Sequence, residues 1–231
     1  MFTTWPCPAN DGTIADELLT GFDKKREHRL LVLPPLFEEH NKFRRQTVEI
    51  MRRLDLSGVD SALPDLAGQN ESKRLLAEET LSGWMVAIRA AANAFGATHV
   101  FALRGGALLA PADLPGWLYA PTDGAKILRG MLRARTIAAK EAGRSETRDD
   151  LAETARIEGM ELGGWHIGAQ MFRELEAATV APDAVQAVID QSVIGGAGLW
   201  LRAEPDDDPE QADALAAIIA IGLHQESGAG A

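Results

Sequence analysis

The stretch that most constrains this chain is Phe101-Ala-Leu-Arg-Gly-Gly-Ala-Leu-Leu-Ala110. Thr98 to Leu103 is an apolar run that reads as a short buried strand, and the chain then turns sharply through Arg104-Gly105-Gly106 into an apolar helix start. A strained strand-to-helix turn of this shape is a nucleophile elbow, which lifts one side chain above a sheet and carries the pattern G-x-S-x-G. The five positions here are Ala102, Leu103, Arg104, Gly105 and Gly106, so arginine stands where the pattern has serine. The turn argues for a fold, and it gives no ground for serine-type acyl transfer.

The rest of the chain alternates strand and helix patterns. Arg29 to Pro34 predicts a buried strand that stops at Pro34-Pro35. Positions 43, 47, 50, 51 and 54 share one helical face of a segment from Lys42 to Leu54. Val59 to Leu63 is the next expected strand, and Leu76 to Phe95 the next helix, through Leu81, Trp84, Ile88, Ala92 and Phe95. Gly116 to Tyr119 and Gly198 to Ala203 are further expected strands. Asp208 can cap a last helix that has Pro209 at its first position and runs to about Gly222, leaving Gln225 to Ala231 as a frayed tail. Such alternation implies an α/β fold: one domain over 1–231, with a mainly parallel sheet and helices on both faces. Residues 121–179 depart from the rhythm. They predict helices over about 125–141, up to Glu158 and over 168–178, with a brief strand near Met160, and read as a lid-like insertion over the sheet edge.

Composition narrows the function. The 231 residues are 46% hydrophobic, enough for a sizeable core, and the net charge of −11 argues against nucleic acid as a partner. The single cysteine, Cys7, allows no internal disulfide. The five histidines lack metal-ligand spacing, and Gly105-Gly106 lacks the remaining glycines of a dinucleotide fingerprint, so no metal and no cofactor are expected. Met1 to Asn10 does not read as a signal peptide, and no apolar run reaches about 18 residues, so no transmembrane segment is expected and a cytoplasmic protein is. Lys126, Arg129, Arg133 and Lys140 lie near one face of their helix, which reads as a solvated face or as a docking surface for a membrane or a protein partner.

A second motif precedes the elbow. Asp65-Leu-Ala-Gly-Gln-Asn-Glu-Ser72 resembles the D-x-x-G-x-G-x-S turn of α/β-hydrolases, with Asn70 in place of a second glycine; asparagine tolerates the left-handed conformation that such a turn needs. Pro34-Pro-Leu-Phe-Glu-Glu-His-Asn-Lys-Phe-Arg-Arg45 resembles the P-P-F-x-E-E-x-N-K-x-R-R signature of the exosortase A system-associated hydrolases, and more closely their second type. Arginine at the elbow, Tyr119-Ala-Pro121, Gly130 to Arg135 and Met160 to Trp165 are similar to the same group, and the resemblance spans about residues 28–205. It implies the α/β-hydrolase fold and a bacterial exosortase and exopolysaccharide setting, with no defined substrate.

In the α/β-hydrolase plan the loop after the first of these strands helps build the oxyanion hole. Here it holds Glu38, Glu39, His40 and Asn41, whose paired carboxylates would repel an oxyanion unless neutralised by Arg44, Arg45 or Arg104. Three readings stay open. Arg104 can pair with Glu38 or Glu39 and lock the loop shut. Arg104 and Arg45 can instead bind an anionic group of a small-molecule substrate at a helix N-terminus. Glu38, Glu39 or a bound water can also serve a hydrolysis. Asn41, Arg44, Arg45, Asp65 and His166 are the candidate substrate-binding residues, beside Glu38, Glu39 and Arg104 as candidate catalytic ones. Glu204 or Asp206 would supply a triad acid and His224 a histidine in the right order, although His224 also reads as a helix C-terminal residue, and His28 and His99 as surface or edge residues. The two function classes that follow are a divergent hydrolase of an anionic substrate and a non-catalytic binding or accessory protein on the same fold.

Overall fold

The computed structural model describes residues 1–180 and 185–229. Two strands absent from the sequence reading come first. β1 (Phe2–Pro8) and β2 (Ile14–Phe22) form an antiparallel hairpin that turns through Gly12 at a φ of 80°. β3 (Arg29–Leu33), α1 (Glu38–Leu56), β4 (Asp60–Pro64), α2 (Leu81–Phe95), β5 (His99–Leu103) and β6 (Gly116–Tyr119) then follow the expected alternation. α3 (Gly124–Glu141), α4 (Arg148–Glu158), β7 (Met160–Leu162), β8 (Trp165–Ile167) and α5 (Ala169–Ala177) make up the middle segment. The chain ends with β9 (Gln186–Ile189), α6 (Gln191–Ile194) and α7 (Pro209–Ala229).

Seven strands form one sheet in the order β1-β2-β4-β3-β5-β6-β9, parallel from β4 through to β9. The strand sequences are apolar on both faces because both faces are covered. Leu31, Leu33, Val100 and Ala102 point into a core shared with Trp84 and Ile88 of α2 and with Leu128 and Phe172 of the middle segment. Their neighbours Leu30, Val32, Phe101 and Leu103 point the other way, onto Phe43 and Ile50 of α1 and Leu215 and Ile219 of α7. The hairpin edge carries Pro6 and Pro8 on β1, tolerable because β1 has no strand beyond it.

Several expectations are corrected. Gly198–Ala203 is no strand: Leu199–Leu201 is a single 3-10 turn, and the strand beside β6 is β9. A short apolar run does not by itself distinguish a strand from a helical turn. The helix expected over 76–95 is broken, with a 3-10 turn at Leu76–Glu78 and a fresh start at Thr80, whose side chain accepts from the Gly83 N–H. The last helix continues past Gly222 to Ala229, because Gly222 serves close packing and not termination: a Cβ there would lie 2.5 Å from the Trp117 ring. The tail expected to fray is thus helical as far as Ala229, and residues 230–231 lie outside the described residues. β7 finds a partner in β8 across Gly163-Gly164, both at positive φ, as a two-residue hairpin turn requires.

Parallel strands bring their following loops to one edge, where α/β sheets bind ligands. Five non-glycine residues among those described have positive φ, and four of them lie on this edge: Phe37 (55°) after β3, Asn70 (49°) after β4, Arg104 (53°) after β5 and Ala120 (44°) after β6. Strained backbone concentrated in this way makes this edge the candidate functional region. The turn after β5 is also tight, since a Cβ on Gly106 would sit 2.4 Å from the Pro34 carbonyl oxygen and 2.7 Å from that of Leu33. Neither backbone oxygen can move without shifting β3. Gly106→Ala should therefore cost about 1–3 kcal/mol of stability, read as a lower urea midpoint at unchanged m-value.

Candidate functional site

α1 begins directly at this edge, and its first turn divides it into two clefts. One, of about 510 Å³, is lined by Phe37, Glu38, Glu39, Arg104 and Thr122, by Lys126, Gly130 and Arg133 along α3, and by Trp200 and Leu201. The other, of about 670 Å³, is lined by Asn41, Gly68, Asn70, Arg74 and the hairpin residues Gly164, Trp165 and His166. Phe37 stands between them: its ring lies 5.9 Å from that of Trp165 and 5.8 Å from that of Trp84.

Arg104 sits at the base of the first cleft and is only 6% exposed. Its Nε donates to Glu39 Oε2 at 3.0 Å and its Nη2 to Glu39 Oε1 at 3.1 Å, a two-pronged pair. Nη1 donates to the Ala120 carbonyl at 2.7 Å, and the guanidinium carbon lies 4.0 Å from the Trp200 ring centre. The guanidinium therefore both faces a cleft and is closed against a carboxylate. Glu38, the other candidate partner, turns outward and pairs with Lys42 at 2.8 Å.

Behind Asn70 of the second cleft lies a buried polar cluster centred on His40, a residue the sequence reading named without a role. His40 is 1% exposed, and its Nε2 faces Arg44 Nη1 and Asn70 Nδ2, both at 3.2 Å. Arginine only donates, so Nε2 must accept, and the proton sits on Nδ1, which donates to Gln69 Oε1 at 3.1 Å. The ring is thus neutral. Burial holds its pKa below the usual 6.5, Arg44 pushes the same way, and the Gln69 bond and Asp65 oppose. Arg44 also donates to Asp65 Oδ1 at 2.7 Å, while the buried Asp65 Oδ2 has no protein partner. The Asp65–Ser72 turn closes on Gly68 at 78° and Asn70 at 49°, with the Gly68 N–H donating to Ser72 Oγ at 2.9 Å. A helix position four residues before Arg44, opening straight from Pro34-Pro35, was the available sign of His40.

The candidate residues therefore fall into three groups. Glu38, Glu39 and Arg104 meet in the first cleft. Asn41 and His166 line the second, and Arg44 joins Asp65 to the His40 cluster behind it; His166 is exposed, its Nε2 3.5 Å from Glu161. Arg45 belongs to neither: its side chain is 73% exposed and pairs with Asp207 at 3.0 Å, so it adds no charge beside Arg104. The triad order also fails in space. Glu204 and Asp206 follow no strand, and Asp206 pairs with Arg202. The residue after β9 is Asp190, which precedes α6. His224 stacks edge-on to His28 at 5.8 Å, and His28 lies 6.2 Å from His99, the first residue of β5. These three rings occupy the edge opposite Arg104, and His99, expected at the surface or an edge, lies at this edge but is buried against Trp117.

Two variants of one position test the strain at the turn. Arg104→Ala and Arg104→Gly should both lose about 1.5–3 kcal/mol with the charged hydrogen bonds, and glycine should lose about 1 kcal/mol less, because only alanine is penalised at positive φ. Equal urea midpoints for the two would contradict this account. For His40 the unfolded chain binds a proton at a higher pH than the folded one, so its contribution is full above about pH 6.5 and is lost as pH falls below that value. The stability difference between the parent and His40→Gln should shrink on acidification, by at most about 1.4 kcal/mol per pH unit.

Comparison with known proteins gives the fold its name. No protein-family model matches the chain, and no curated protein matches it in sequence. Solved structures do. Est1E from Butyrivibrio proteoclasticus, with ferulic acid bound, is 14% identical and superposes with a TM-score of 0.55 over 81% of this chain and 77% of its own. Alpha/beta hydrolase domain-containing protein 10 from mouse is 13% identical with a TM-score of 0.55, over 98% of this chain and 99% of its own. A thermophilic esterase from Thermogutta terrifontis with malate bound is 14% identical with a TM-score of 0.52, over 97% and 98%. This chain has the α/β-hydrolase fold.

Proposed function

We propose that this protein is a ligand-binding member of the α/β-hydrolase fold, in which the elbow carries a fixed cation in place of a nucleophile, and that it takes a small molecule with an anionic group in the Arg104 cleft. One observation carries the reading: the residue at the crown of the β5 turn keeps the strained φ of 53°, yet its guanidinium is tied to Glu39, Ala120 and Trp200. Covalent catalysis needs a nucleophile within hydrogen-bond reach of a base. Arginine is none, His224 lies at the far edge, and Glu39 is held by two guanidinium bonds that suit it poorly to activate water. Lys126 and Arg133 leave the cleft a cationic rim. We assign the setting, an exosortase and exopolysaccharide system, on the resemblance of Pro34–Arg45, the same segment that supplies Glu39 and His40. In this reading residues 121–179 act as a lid whose α3 forms one side of the cleft.

The competing reading is a divergent hydrolase using Glu38, Glu39 or a bound water. A panel of ester, thioester and phosphoester substrates separates the two. The binding reading expects no turnover above the buffer rate and no stoichiometric labelling by a serine-reactive phosphonate. It also expects Arg104→Ser to stay inactive, since among the described residues no histidine contacts Arg104. Turnover that Glu39→Ala or Arg104→Ala abolishes would establish the hydrolase instead.

A further inference from the structure

The face of α3 that borders the Arg104 cleft has an unusual composition. Lys126, Gly130 and Arg133 fall on one stripe of the helix, at spacings of four and three residues, and all three line the cleft. The two cations are exposed and have no ion-pair partner among the described residues, whereas Arg135 on the same helix is paired with Glu146. They stand about 10 Å apart along the axis, with the glycine between them. Glycine is a weak helix former, yet Gly130 is mid-helix and makes no close packing contact: a Cβ there would meet nothing within 4 Å. The gap is open space bracketed by positive charge. Deeper in, Thr122 is 5% exposed, and its buried hydroxyl has no hydrogen-bond partner. Around these polar groups the lining is apolar, with Leu36, Ile127, Met131 and Leu201, and Leu201 is 74% exposed at the mouth.

We propose that this cleft binds a single-chain anionic amphiphile, with its carboxylate or phosphate head over Gly130 between Lys126 and Arg133 and its hydrocarbon chain along Ile127, Met131 and Leu201. The inference rests on the binding reading of the cleft and specifies its ligand. Charge complementarity selects the head, because two unpaired cations flank the open position while Arg104 is already neutralised by Glu39. Exposed apolar side chains select the tail, since an ion alone would leave Leu201 in water.

Titration of the protein with dodecyl phosphate, below its micelle-forming concentration, tests the assignment through tryptophan fluorescence and calorimetry. One molecule should bind per chain. Dodecanol and inorganic phosphate should each bind at least tenfold more weakly, which separates the amphiphile from its head or tail alone. Lys126→Glu and Arg133→Glu should each weaken binding about tenfold or more. Gly130→Leu should do the same by filling the gap while keeping or raising the melting temperature, so that lost binding is not lost folding. No saturable binding, equal affinity for inorganic phosphate, or affinity unchanged in all three variants would overturn the proposal. Turnover of an ester would end the non-catalytic reading without touching this result, and absence of dodecyl phosphate binding would end the amphiphile site while leaving the missing nucleophile as it is.

Discussion

The ion pair between Arg104 and Glu39 holds together an edge that the chain assembles from four distant pieces. Glu39 lies in the first turn of α1 after β3, Arg104 follows β5, Ala120 follows β6, and Trp200 comes from the turn at Leu199–Leu201. A buried guanidinium must be satisfied on all its donors or its desolvation becomes costly. Here the carboxylate, a main-chain carbonyl and an aromatic face share that role. Two of the strained residues, Arg104 and Ala120, are themselves partners in this cluster, and Phe37 stands two residues before Glu39. Their backbone conformations are unfavourable one at a time and persist because the network fixes each against the others.

The same edge separates two electrostatic environments within one short turn of α1. On the His166 side the charges cancel locally. Arg74 is paired with the buried Glu79 at 2.7 Å, Arg44 with Asp65, His166 faces Glu161, and His40 is neutral. On the Arg104 side the cancellation stops at the floor, and the wall contributed by α3 keeps its charge. An acidic chain with a net charge of −11 thus places two cations without an ion-pair partner among the described residues on the wall of one recess.

Most of the sheet was legible because its signals are local. Strands β3, β5 and β6 are short, mainly apolar runs followed by Pro34, Arg104 and Ala120-Pro121, and α1, α2 and α3 show apolar spacing over many turns. The tight turn after β5 was legible from Arg104-Gly105-Gly106, since only glycine fits at position 106 under the Pro34 carbonyl, although the helix expected to start there is a 3-10 helix that ends at Leu109. Three things were not. β1 hides behind Pro6 and Pro8, which normally count against a strand, and only the Asp11-Gly12 pair signals its hairpin. Leu199–Leu201 has strand-like composition, but its role depends on Trp200 reaching Arg104 across the fold. Arg45 and His40 lie in one signature segment, and which of them turns inward is a matter of helical phase: His40 falls on the buried side with Phe43 and Thr47, and Arg45 falls opposite.

The prolines of β1 have a consequence for how molecules of this protein meet. An outermost strand can hold proline only where the missing amide would point away from its partner, so positions 6 and 8 withdraw two hydrogen donors from the free margin of the sheet. A foreign extended segment aligning there would find acceptors without matching donors. On this flank, edge-to-edge polymerisation is discouraged by the covalent chemistry of the backbone itself, whatever the surrounding side chains are.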